Sequence, residues 1–299
     1  NELFEIKEFV GQGSMGQVYR AIGGKSQRTV AIKISLEQNE FDSPSFALKS
    51  LSNEQKIALL GISHPNVLAY LYVNEGNDDT DPYVITEFVE GETLDEFIKT
   101  LQAENQEPKE PNIEDAMDLL RQIAAGMQAI NDTVIHRDIK PGNILLANHD
   151  GRLVPKIADF GVAKIAIDPT RQETFKGIQT ISYMAPEVWN QETQTIKVDI
   201  YSVGLVFYEL LLLKHPLVNQ MSDPFDLHEW RTTHLHRVCP DIRGIRSDVD
   251  QSVAQVLLRM TAKRPADRPG WKEIVKVLNF EPPQTASVEV DPEILQAIQ

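Results

Sequence analysis

A chain of 299 residues is long for one hydrophobic core and natural for two lobes, and its 41% hydrophobic content excludes a globally disordered polymer. A formal charge of −15 argues against nucleic acid or an anionic membrane surface as partner, so a phosphate-bearing ligand would need cations or a metal gathered at one site. The single cysteine, Cys239, excludes an internal disulfide. The opening segment NELFEIKEFV has no apolar leader. The longest apolar run, VGLVFYELLLL at 203–213, is broken by Glu209 and falls short of the roughly 20 residues a bilayer needs, so it reads as a buried core helix. These features lead us to expect a cytoplasmic location, and a start at Asn rather than Met leads us to expect a domain cut from a longer protein.

In chain order, FEIKEFV (4–10), QVYRA (17–21) and TVAIKI (29–34) are short β-type runs separated by GQGSMG and GGKSQR. Ser43-Pro44 reads as a helix start, with a helix running to about Leu60 and stopping at Gly61. VLAYLYVN (67–74) and YVITEFV (83–89) predict two more strands around the polar loop EGNDDTDP. This gives a small antiparallel sheet with one helix over 1–86, a junction at 87–91, and a larger helical lobe over 92–280. In that lobe TLDEFIKTL (93–101) predicts a helix and QAENQEPKEPN (102–112) a loop. Ile113, Met117, Leu120, Ala124 and Met127 recur at spacings of three and four, one face of a helix. NILLA (143–147) and LVPKIA (153–158) read as strands, and helices are predicted over about 199–213, 249–262 and 270–278. The polar, proline-containing tail 281–299 reads as a linker or a loosely docked segment.

Four segments carry candidate chemistry. VGQGSMGQV (10–18) puts Gly11, Gly13 and Gly16 on a β-hairpin, where missing side chains let backbone N–H groups approach phosphates. Alone it is equally a flexible turn, because the G-x-G-x-x-G of dinucleotide folds is followed by a helix and here a strand follows. In VAIK (30–33), Lys33 ends an apolar strand and needs a carboxylate or phosphate partner; Glu54 is the candidate, against the plain reading that both are solvated. ADFG (158–161) offers Asp159 as a metal-binding carboxylate, or simply a β-turn. HRDIKPGN (136–143) collects His, Arg, Asp, Lys and Asn in a loop between the lobe's first long helix and a strand pair, facing the junction.

Taken in order, GQGSMGQV, VAIK, a helix Glu, HRDIKPGN, DFG, YMAPE (183–187), DIYSVG (199–204) and Arg268 of RPADRPG resemble the protein kinase family over roughly residues 3–280. HRDIKPGNILL, with Gly before Asn, looks most like the bacterial branch of the eukaryotic-like (Hanks-type) serine/threonine kinases. The resemblance implies an α+β, bilobal protein-kinase fold and transfer of the γ-phosphoryl of Mg-ATP, with Mn²⁺ as a substitute metal, to protein Ser/Thr hydroxyls. Asp138 would accept the hydroxyl proton, Lys140 would stabilise the transferring phosphoryl, and Asn143 and Asp159 would hold the metal. Lys33, paired with Glu54, would hold the α/β-phosphates under Gly11, Gly13 and Gly16. Val10, Val18, Ala31 and Leu145 match the apolar adenine sandwich, the backbone of Glu87 to Val89 the adenine-edge partners, and Thr86 the residue guarding the back of the pocket.

Lys140 two residues after Asp138, and Thr180 three residues before Tyr183, follow the serine/threonine pattern. Arg137 matches the residue that pairs with an activation-segment phosphate, for which Thr174 is the first candidate and Thr170 the second. Glu187 and Arg268 match a structural ion pair, and Asp199 a helix-start anchor. There are two departures: one residue too many separates Glu54 from HPN (64–66), and G-I-Q-T stands where G-T is usual. The rival readings are a kinase-shaped scaffold that binds nucleotide or partners without turnover, and a kinase of small molecules, whose loops generally lack YMAPE. The resemblance leaves room for a homodimer that autophosphorylates in trans, and the acidic charge for basic substrate segments. In HEWRTTHLHRVC (228–239), His234, His236 and Cys239 lack a second cluster to complete a metal site and read as surface helix residues.

Overall fold

Alternation of apolar and polar residues along TVAIKI sends Val30 and Ile32 into a small core with Ala21, Leu71 and Ile85, and turns Ala31 and Lys33 to the opposite face. That strand, β3 (Thr29–Ile34), lies in an antiparallel five-stranded sheet with β1 (Phe4–Gly13), β2 (Gly16–Gly23), β4 (Tyr70–Asn74) and β5 (Tyr83–Glu87), in the order β1-β2-β3-β5-β4. Helix α1 (Pro44–Leu59) is followed by Gly61 in the left-handed conformation, φ +62°, a position that glycine occupies without strain. The structure, a computed structural model, describes residues 4–13, 16–24, 27–34, 44–76, 81–103, 111–161, 163–165, 181–224 and 226–278.

The larger lobe begins with β6 (Gly91–Thr93) and α2 (Leu94–Ala103). Thr93 and Glu96 cap α2 reciprocally: Thr93 N donates to Glu96 Oε2 at 2.8 Å and Glu96 N to Thr93 Oγ1 at 3.2 Å. Helix α3 (Ile113–Asn131) starts at Asn112, whose side chain accepts from Glu114 N at 2.8 Å, and buries Leu120, Ala124 and Met127, with Ile113 and Met117 half-buried beside them. Strands β7 (Val134–Ile135), β8 (Ile144–His149), β9 (Arg152–Ile157) and β10 (Lys164–Ile165) follow, β8 pairing with β6 and β9, and β7 with β10. Then come α4 (Pro186–Trp189), α5 (Lys197–Leu212), α6 (Leu227–His236), α7 (Gln251–Met260) and α8 (Trp271–Val277). Helix α5 is the apolar run. It is buried on nearly every side, as expected of a helix with little amphipathic contrast, and forms the centre of the lobe. Among the described residues no helix is long and apolar enough to cross a membrane.

Two expectations change. The strand predicted over 67–74 begins only at Tyr70, because 66–68 pair instead with the larger lobe: Leu68 N donates to Ile157 O and Ile157 N to Asn66 O, both at 2.9 Å. The segment 228–239 is helical over α6, yet Trp230, Thr233, His234 and Cys239 are buried rather than on the surface. The His234 ring stacks on Trp230 and Trp189, with centroids 5.5 and 6.2 Å away, and its Nδ1 lies 2.9 Å from the Tyr201 hydroxyl. Burial pushes its pKa down to about 3. A polar composition concealed this because α6 packs on α4 and on residues 181–183, and Tyr201 of α5 reaches His234, a tertiary fact with no local signature.

Candidate active site

The β1–β2 turn brings Gly13 opposite Gly16 and Gly11 opposite Val18, and a Cβ on Gly11 would meet nothing within 4 Å. Across the sheet Val18 pairs with Lys33, and Ala31 with Thr86, so these four side chains share the face that overlooks the larger lobe. Val10 is half exposed, and Leu145 is half-buried on β8, opposite Thr93. Oε1 of Glu87 accepts from Ala69 N at 2.9 Å and from Lys156 Nζ at 2.8 Å, which ties the end of β5 to β9.

Lys33 donates to Glu54 Oε1 and lies 3.3 Å from Asp159 Oδ1. The extra residue between Glu54 and His64 therefore does not keep Glu54 from Lys33. Burial works to lower the Lys33 pKa, but the two carboxylates more than offset it and hold it above its ordinary value. Burial works to raise Asp159, and the neighbouring charges of Lys33 and His136 bring it below its usual range instead. Asp159 is itself left-handed, φ 66°, an uncommon conformation for a residue other than glycine.

The loop 136–143 hangs from α5. Asp199, at the start of that helix, accepts from His136 N at 2.7 Å, Arg137 N at 2.8 Å and Asn131 Nδ2 at 2.8 Å. These bonds hold Arg137 at φ 70°, a second left-handed position. Burial lowers the Arg137 pKa, opposed by Asp199. The His136 ring lies 4.6 Å from that of Phe160, and its Nε2 lies 3.1 Å from Ala158 O. Asp138 Oδ2 accepts from Lys140 Nζ and from Asn143 Nδ2, each at 2.9 Å. The structure thus joins Lys33, Glu54 and Asp159 in one cluster and Asp138, Lys140 and Asn143 in another, the two linked where Ala158 N, beside Asp159, donates to Asn143 O at 2.9 Å. Thr170, Thr174 and Thr180 lie outside the described residues.

YMAPE is pinned to α5. Ser202 Oγ donates to Tyr183 O at 2.8 Å, and Tyr183 Oη donates to Glu209. Arg268 and Glu187 form a buried bidentate pair at 2.6 and 2.7 Å. Burial pushes the Glu209 carboxyl up to about 7 against the Tyr183 hydrogen bond. A carboxyl whose folded pKa exceeds its unfolded value holds its proton more tightly when folded. Its contribution to stability is therefore lost as pH rises from about 4.5 to about 7. Glu209→Gln keeps an acceptor for Tyr183 and removes that loss. Its melting temperature should exceed the wild type's at pH 8 and approach it at acidic pH; a gain independent of pH would refute the assignment.

Sequence reasoning missed Tyr70, whose hydroxyl reaches Glu54, and the Glu87–Lys156 clamp. Both partners of the clamp sit in ordinary strand patterns, so only the pairing reveals them.

A protein-family model described as "Protein kinase domain" matches residues 4–279. The chain is 31% identical over 270 residues to the serine/threonine-protein kinase PrkC of Bacillus subtilis, an alignment that covers 89% of this chain and 38% of that protein. It is 29% identical over 308 residues to the serine/threonine-protein kinase PknB of Mycobacterium tuberculosis, covering 98% and 46%, and 34% identical over 218 residues to the serine/threonine-protein kinase atg1 of Dictyostelium discoideum, covering 72% and 31%. The chain spans less than half the length of each of these relatives. With the family model matching nearly its whole length, and with bacterial serine/threonine kinases among its relatives, the chain belongs to the protein kinase domain family.

Proposed function

We propose that this domain transfers the γ-phosphoryl of Mg-ATP to Ser and Thr hydroxyls of proteins. The observation that carries this reading is the Lys33–Glu54–Asp159 cluster together with the Asp138–Lys140–Asn143 cluster, which the Ala158 N to Asn143 O bond holds to the Asp159 turn.

The residues present fit a phosphate-borne Mg²⁺. Among the described residues no three His, Cys, Asp or Glu side chains gather as a metal cluster. A hard cation that takes most of its ligands from phosphate and water needs only one or two protein oxygens. Asp159 offers a carboxylate, and Asn143, whose nitrogen is committed to Asp138, offers its amide oxygen. When bound, the metal supplies positive charge across the phosphate oxygens.

The protein's part is positioning. Lys140 and Asn143 fix Oδ2 of Asp138, which leaves Oδ1 to accept the hydrogen of a substrate hydroxyl and aim its oxygen. Lys140 is close enough to Asp138 to place its charge beside the group in transfer, a Ser/Thr-type arrangement that Thr180 would complete. Lys33 holds the α/β-phosphates, oriented by Glu54, beneath the backbone of Gly11, Gly13 and Gly16. Val10, Val18 and Ala31 cover the adenine, Leu145 lies under it, the backbone of Glu87 to Val89 binds its edge, and Thr86 leaves room behind it. Autophosphorylation of Thr174, or else Thr170, would place a phosphate beside Arg137, in trans within a homodimer. ATP as donor puts the reaction on the cytoplasmic side, and the net charge favours basic substrate segments.

The domain incubated with Mg-ATP and a basic protein substrate should yield phosphoserine and phosphothreonine without phosphotyrosine, with Thr174 or Thr170 peptides gaining a phosphate. Nucleotide binding without transfer to any protein would overturn the activity. Both threonines unmodified in active enzyme would overturn the regulation.

A further inference from the structure

Glu54 is buried, so both of its carboxylate oxygens need partners. Lys33 takes Oε1, and the Tyr70 hydroxyl donates to Oε2 at 3.3 Å. The Tyr70 ring also meets Phe160 edge-on, with centroids 6.1 Å apart and planes at 65°. Phe160 is fully buried and directly follows Asp159. One side chain therefore touches both the carboxylate that fixes Lys33 and the anchor of the Asp159 turn.

The backbone explains how a strand residue reaches both. Tyr70 stands opposite Thr86 and Tyr72 opposite Ile85, so two steps along β4 match one along β5. Such a bulge re-aims the side chains beside it. Tyr70 thereby shares a face with Thr86, and through Thr86 with Ala31 on β3, the face that carries Lys33. Tyr72 leaves that neighbourhood and packs on Tyr83, with centroids 6.0 Å apart.

We propose that Tyr70 is a positioning residue for the nucleotide. Its hydroxyl fixes the second oxygen of Glu54, so that Lys33 meets the phosphates in one orientation. The proposal rests on the phosphoryl-transfer reading of the cleft.

The test compares Tyr70→Phe, Tyr70→Leu and Tyr72→Phe with wild type. Affinity is read by calorimetric titration with a non-hydrolysable ATP analogue and Mg²⁺, and turnover by steady-state kinetics. Tyr70→Phe keeps the ring and loses one charge-assisted hydrogen bond, so analogue affinity should weaken about three- to tenfold. The KM for ATP should rise by the same factor, with the KM for protein substrate near wild type and the melting temperature lowered by a few degrees, because one oxygen of a buried carboxylate loses its partner. Tyr70→Leu should lose kcat as well, and Tyr72→Phe should match wild type. Wild-type affinity and KM in Tyr70→Phe, with only Tyr70→Leu impaired, would reduce the residue to packing and overturn the proposal. If wild type binds the analogue but transfers no phosphate, the activity falls and the affinity comparison still decides on Tyr70. A wild type that binds no nucleotide overturns both.

Discussion

Asp138→Asn should lower kcat by about 10²- to 10⁴-fold while the KM for ATP stays close to wild type. The substitution is nearly isosteric. Asp138 accepts from Lys140 and Asn143 through Oδ2, and an amide oxygen at that position can still accept. What disappears is the negative charge and the second acceptor toward the substrate hydroxyl. Nothing in the nucleotide's expected contacts with Lys33 or with 87–89 passes through that carboxylate. Steady-state kinetics in both substrates checks this. A fall of less than about tenfold would mean that Asp138 neither orients nor deprotonates the hydroxyl, and the base would have to be sought elsewhere. A large rise in the KM for ATP would mean that the loop had moved.

The second large effect concerns stability. The Arg268 guanidinium and the Glu187 carboxylate are almost wholly removed from solvent, with side-chain exposures of 0% and 2%. Arg268 also donates to Lys197 O at 2.7 Å and Ala262 O at 2.8 Å, and its guanidinium lies 4.9 Å over the Tyr201 ring. It thus joins YMAPE, the start of α5 and the end of α7. Arg268→Ala would leave a buried carboxylate without compensation and expose those carbonyls to a void. Breaking a buried pair from one side costs about 3–5 kcal/mol. Denaturant unfolding should show that loss. Arg264→Ala, which removes only an exposed pair with Asp267, should unfold almost as the wild type does. Near-identical curves for the two variants would show that water reaches Glu187 and that the pair is not structural.

The sequence alone determined the site's composition. A transfer reaction of this kind admits few residue types for each task, and the loop 136–143 supplies Asp138, Lys140 and Asn143 within a few residues of one another. Short spacing survives folding, so those residues stay together whatever the rest of the chain does. Periodicity determined the main elements equally well, since the buried faces of β3, α3 and α5 follow directly from which positions are apolar. Tertiary structure decided everything that depends on two distant segments meeting. Lys33 and Glu54 are 21 residues apart, and Lys33 and Asp159 are 126 apart. Only the seating of the lobes shows that one ammonium serves both. The same holds for His234, whose burial comes from helices that cover it rather than from its own polar helix, and for 66–68, which bond to β9 instead of extending β4. Tyr70 is the sharpest case: a bulge in β4 sets its direction, and nothing in the letters YLYVN distinguishes the tyrosine that reaches Glu54 from the one that packs on Tyr83. Local chemistry is written in residue type and spacing, whereas partnership across the fold is written in packing, to which many separate segments contribute at once.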